Sequence, residues 1–223
     1  MAIIALAAGL ALGAGATWLY RYVPRWLLND VGDRNANPPA SGGGVRGIAI
    51  VILAMGLSCI CFLHFAAPWK AAAAAAFAAT LLALAAIDLE TQLLPDVLTQ
   101  PLLWAGLLLN TQGWFASPSQ AVYGAAAGYL SLWVPFQVHR ALTGRDGMGH
   151  GDFKLAAAVG AWLGADGVPS VYLLSVGAAT AVSLIRFAIG DSRARDPQPF
   201  GPYLVIAALL TLVCPFSPLD LVP

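Results

Sequence analysis

Long apolar runs separated by short polar stretches constrain this chain more than any other feature. Residues 2–20, 47–67, 71–87, 97–115, 120–138, 154–164, 169–188 and 203–217 are each built mainly from Ala, Leu, Ile, Val, Gly and aromatic residues. A helix of about 20 apolar residues matches the ~30 Å hydrocarbon layer of a bilayer. One globular core cannot hide this much apolar surface. The 223 residues are 59% hydrophobic and only 10% charged, where soluble domains carry about 25% charged residues. The expected fold class is all-α: a polytopic helical membrane protein of about eight transmembrane helices, read as one integral membrane domain over 1–223. The 23 glycines fit, because small residues let membrane helices approach closely. Formal net charge is zero, so lipid is an expected partner and nucleic acid is not.

The N-terminal run reads as a retained first helix. Gly13-Ala14-Gly15-Ala16 resembles a processing site, but no Lys or Arg precedes the run, and signal peptides start basic. Residues 21–46 hold Arg21, Arg25, Asp30, Asp33 and Arg34, then Pro38-Pro39 and Gly42-Gly43-Gly44, and read as a mostly irregular loop. Of the three cysteines, Cys59 and Cys61 lie inside an apolar run, in a spacing unlike a zinc half-site. His64, His139 and His150 are scattered. No metal site, no zinc and no disulfide are expected.

Charge placement orients the map. With the loops numbered alternately and both termini outside, the inner loops hold Arg21, Arg25, Arg34, Arg46, Arg140, Arg145, Lys154, Arg186, Arg193 and Arg195, and the outer loops only Lys70. Basic residues concentrate on the cytoplasmic side of membrane proteins. The same numbering brings Asp88, at the end of the third run, and Asp152, at the start of the sixth, to the cytoplasmic face.

These two acids are the candidate chemistry. Gly147, Gly149 and Gly151 lead into Asp152 and then Lys154. Glycine costs backbone entropy and contributes no side chain, so three in five residues imply a close approach to Asp152. Asp88 follows the run 71–87, which covers roughly 25 Å as a helix, and so lies near the membrane boundary. Ionisable groups at such depth face polar cavities or each other. Two carboxylates a few Å apart share one proton, so one can act as base on a water while the other polarises a carbonyl as acid. A plainer reading makes Asp152 the N-cap of the sixth helix. Glu90 and Asp96 are rival acids: Asp96, after Pro95, suits the N-terminus of the fourth helix, and Glu90 lies roughly 200° around a helix from Asp88.

The stretch Ile87-Asp88-Leu89-Glu90-Thr91-Gln92-Leu93-Leu94-Pro95-Asp96, with Leu98-Thr99 after it, closely resembles the first active-site motif of bacterial type IV prepilin peptidases. Gly147 to Leu155 resembles their second motif, the G-x-G-D signature, and Pro199-Phe200-Gly201-Pro202-Tyr203 resembles the segment before their last helix. The resemblance covers about residues 70–215, the expected peptidase core, with 21–46 as a cytoplasmic loop. It implies that Asp88 and Asp152 are the catalytic aspartates, supported by Gly147, Gly149, Gly151, Glu90, Pro95, Asp96 and Lys154. It implies a multi-pass protein of the bacterial inner membrane that cleaves type IV prepilins or type II secretion pseudopilins at the cytoplasmic face, after a leader glycine. Proteolysis there needs no cofactor. Many members also N-methylate the new N-terminus with S-adenosylmethionine.

The chain departs from that pattern at its start. Residues 21–46 lack the paired C-x-x-C motifs that bind zinc in many members, and Tyr20-Arg21-Tyr22-Val23-Pro24 keeps only the Arg and Pro of another family segment. No residue is assigned to methylation. Acids near the cleavage face, Glu90, Asp96, Asp146 and Asp152, are expected to attract a basic leader. Two other function classes use the same features: a small transporter or channel with carboxylates relaying protons or ions, and a structural subunit of a secretion machine, which needs no paired acids.

Overall fold

A computed structural model describes residues 2–30, 43–144, 149–191 and 198–214. Among them are eight α-helices: α1 (Ala2–Asp30), α2 (Gly43–His64), α3 (Pro68–Thr91), α4 (Asp96–Asn110), α5 (Pro118–Thr143), α6 (His150–Leu163), α7 (Val168–Ala188) and α8 (Gly201–Val213). Four segments are long and apolar enough to cross a bilayer: Ile4–Val23, Val45–His64, Pro68–Thr91 and Ala165–Ala188. The chain is a helical membrane protein, as its composition implies. Helices α4, α6 and α8 have 15, 14 and 13 residues, short of a full span by themselves.

Three boundaries differ from the sequence expectation. The stretch 21–46 is helical at both ends, since α1 continues to Asp30 and α2 begins at Gly43. A nucleated helix propagates past the apolar boundary, because adding a residue is far easier than starting a helix. Helix α3 does not stop at Ile87 but carries Asp88 and Glu90 within it, ending where Gln92 turns left-handed at φ 53°. Helix α4 ends at Asn110 and not near 115. The Asn110 side chain takes the amides of Phe115 and Ala116 and so folds the chain back on itself.

The chain divides into two compact units, residues 1–98 and 99–223. In the first, α1, α2 and α3 pack against one another. The α1–α2 approach depends on glycine: a Cβ on Gly9 would lie 2.7 Å from Met55 Cα, and one on Gly13 would lie 2.9 Å from Val51 Cα. The Thr17 hydroxyl donates to Gly13 O at 2.8 Å and reaches Gly47 O at 3.3 Å, joining the two helices. Helix α3 is alanine-rich, the strongest intrinsic helix former, and begins with Pro68 in its first turn, where a missing N–H costs little. Phe77, Leu81 and Leu84 on it are wholly buried.

The second unit is built around α6. Ten of its fourteen residues are buried, against α5 on one side and α8 on another. In lipid the hydrophobic effect does not drive helices together; close van der Waals packing and hydrogen bonds do. The α5–α6 seam shows this. A Cβ on Gly124 would overlap Gly160 O, and one on Gly128 would overlap Ala156 O. Gly164 then ends α6 at φ 77°, ψ 172°, a conformation open essentially to glycine alone.

Candidate active site

Asp88 is 4% exposed in the last turn of α3. That turn is closed locally. The Gln92 amide donates to Asp88 O at 2.9 Å, and the Thr91 hydroxyl donates to Ile87 O at 2.9 Å. Glu90 faces elsewhere, as the 200° separation requires. Its Oε1 accepts from the Tyr20 hydroxyl of α1 and from Arg46 Nη1 of α2. Glu90 is thus bonded into the three-helix unit, and Arg46, one of the basic residues assigned to the inner loops, is its ion-pair partner. Pro95 is buried, and Asp96 is exposed at the first position of α4.

Asp152 is 7% exposed in the first turn of α6. It is not the N-cap: Gly149 is, and the helix starts at His150. Asp152 is the third helical residue, at the end of a helix that favours negative charge. A Cβ on Gly149 would lie 3.6 Å from Asp152 Oδ2, so even alanine there would touch the carboxylate. Gly149 is exposed, Gly151 and Lys154 are half-buried, and Gly147 with Asp146 and Arg145 lies outside the described residues. Asp88 belongs to the first unit and Asp152 to the second.

Helix α5 orients the turn that bears Asp152. Phe136 packs its ring 5.3 Å from Phe153 and 5.4 Å from His150, and Tyr129 lies 5.9 Å from Phe153. The α5–α6 contacts advance four residues at a time, Gly124 with Gly160 and Gly128 with Ala156. Continuing that antiparallel register puts Asp152 at the level of Leu132. At the far end of α6, Asn110 Nδ2 donates to Ala161 O at 2.8 Å and to Trp162 O at 3.2 Å. These are last-turn carbonyls with no intrahelical donor, so Asn110 caps α6 from α4. Trp162 Nε1 donates in return to Leu102 O at 2.8 Å. Sequence reasoning missed Asn110, Trp162 and Phe136, each of which lies in an apolar run. The signal for Asn110 is that it is the first amide side chain after the apolar stretch 101–109.

The fold defines a class of protein, a helical membrane protein, that buries one acid at the end of α3 and another at the start of α6. Residues 75–184, which contain both acids, match the type IV leader peptidase family. The chain belongs to that family. It is 48% identical over 152 residues to a prepilin leader peptidase/N-methyltransferase of Pseudomonas aeruginosa, covering 67% of this chain and 52% of that protein. It is 50% identical over 147 residues to the protein of the same name from Aeromonas hydrophila, covering 65% and 50%. The figure is again 50% over 143 residues for that of Burkholderia pseudomallei strain 1026b, covering 63% and 46%. The chain spans about half the length of these curated relatives. No solved structure matches it.

Proposed function

We propose that this chain is an aspartic endopeptidase that removes the leader from prepilins or pseudopilins, with Asp88 and Asp152 as the catalytic pair. The observation that carries the reading is the burial of both carboxylates, at 4% and 7% exposure, at helix ends inside the family-matching segment. Buried carboxylates that meet share one proton. The ionised one takes a proton from water as the oxygen attacks the scissile carbonyl carbon. The protonated one donates to the carbonyl oxygen. The tetrahedral intermediate collapses when a proton passes to the leaving amine, which breaks the C–N bond and restores the shared proton.

Asp152 sits in the first turn of α6 and Asp88 in the last turn of α3. The charge distribution supports cleavage at the cytoplasmic face of the inner membrane. Family membership does not favour the transporter reading.

Two cavities among the described residues do not fit a methyl donor. S-adenosylmethionine carries an ammonium, a carboxylate and a ribose diol, which need several polar partners. A cavity of about 330 Å³ in the second unit is walled by Leu132, Pro135, Phe136, Val176 and Phe200, with only His139, Tyr172 and Thr180 to offer polar atoms. One of about 490 Å³ in the first unit has Arg46 and Glu90 bonded to each other at its edge.

The test is cleavage of a prepilin-type peptide by the full chain in detergent. Asp88→Ala, Asp152→Ala and each Asp→Asn variant should lose at least about 10³-fold in kcat/KM, because shape without titration supplies no acid–base step, and groups acting as a unit fail together. Wild-type rates from any single variant would sink the assignment.

A further inference from the structure

Glu90 is two residues beyond Asp88, yet its partners belong to other helices. Its Oε1 accepts from Tyr20 on α1 and Arg46 on α2. The Tyr20 ring is buried at 3% exposure. The Glu90 side chain is 12% exposed, and that of Arg46 is 59% exposed. The hydroxyl bond is therefore sheltered, and the guanidinium closes the cluster from outside. A last helical turn is ordinarily the weakest part of a helix, because its carbonyls lack intrahelical donors. Here the Gln92 amide and Thr91 hydroxyl close the turn on itself. Glu90 ties that closed turn to α1 and α2.

The tie grips α3 on the side away from Asp88, since two residues turn a helix by roughly 200°. It sets the rotation and height of the turn without touching the acid. We propose that Glu90 is a positioning residue for Asp88, with Tyr20 and Arg46 as its anchors. The inference rests on the proteolytic reading above and deepens it. It replaces attraction of the leader by Glu90 with a geometric role. A reacting group displaced by about 1 Å costs on the order of 100-fold, so loosening this turn acts on the chemical step and leaves substrate binding nearly unchanged.

Glu90→Ala, Glu90→Gln and Tyr20→Phe, made in the full chain and held well below their unfolding temperatures, separate the possibilities. Glutamine keeps an acceptor for both donors and removes the charge. The expected result is a kcat lower by about 10- to 100-fold for Glu90→Ala with KM within about twofold, near-complete rescue in Glu90→Gln, and an intermediate loss for Tyr20→Phe. Hydrogen exchange at the Gln92 amide should rise at least about tenfold in Glu90→Ala and stay at the wild-type rate in Glu90→Gln. A Glu90→Gln variant as slow as Glu90→Ala, or a KM defect that grows with the positive charge of the leader, overturns positioning in favour of charge. Unchanged Gln92 exchange in Glu90→Ala overturns the tie itself, and this readout needs no cleavage. A wild type that cleaves no prepilin-type peptide rejects the proteolytic reading separately.

Discussion

Replacing Asn110 by alanine removes four hydrogen bonds at one stroke. Its amide nitrogen serves Ala161 O and Trp162 O, and its oxygen serves the amides of Phe115 and Ala116. Asn110 and Ala161 are wholly buried and Trp162 is 3% exposed, so water cannot replace the lost donor at the two carbonyls. An unsatisfied buried group costs about 1–3 kcal/mol, and a hydrogen bond that water can replace costs about 0.5–1.5. The Phe115 and Ala116 amides are half-buried and recover part of their loss. The net destabilisation comes to about 3–5 kcal/mol. At roughly 2–4 °C per kcal/mol for a chain of this size, Tm in detergent should fall by on the order of 10 °C, followed by circular dichroism or tryptophan fluorescence. Asn110→Asp is the sharper companion. It keeps acceptors for Phe115 and Ala116 but turns an anion toward two carbonyls, and should cost at least as much as alanine. A Tm drop below about 2 °C for Asn110→Ala would show that α6 does not depend on this cap, and the reasoning would fall.

Two further outcomes follow from the packing. Gly124→Leu should abolish folded protein in detergent, because a side chain there collides with the α6 backbone; Gly15→Ala, whose Cβ would meet nothing within 4 Å, should raise stability by about 0.5–1 kcal/mol. Trp162→Phe keeps an aromatic ring near Phe115 but loses the bond to Leu102 O, and should cost about 1 kcal/mol, read as a Tm lower by a few degrees.

The sequence made the helices and the two acids visible for different reasons. Apolar runs announce membrane helices because the bilayer fixes both their length and their composition. Asp88 stood out because an acid after such a run needs a reason, and Asp152 because three glycines precede it. The partners of Glu90 were not legible. Tyr20, Arg46 and Glu90 are spread over 70 residues, and pairing across helices depends on rotation about each axis, which composition does not encode. The end of α3 was misread because polarity rose at Asp88, while the helix follows backbone hydrogen bonds and continues to Thr91. Asn110 remained hidden because its value lies in serving another helix.

The α5–α6 seam also works as a ruler. Its backbone contacts repeat every four residues from Gly124 with Gly160 to Gly128 with Ala156, so the chain length between Gly160 and Asp152 sets the direction in which the carboxylate points. Deleting one residue there turns Asp152 by about 100° and shifts it by about 1.5 Å, while every residue type in the helix stays the same. Descendants of this chain can therefore exchange side chains along the outer faces of α5 and drift in composition. A change of one in the residue count of α6 aims its acid at a different neighbour.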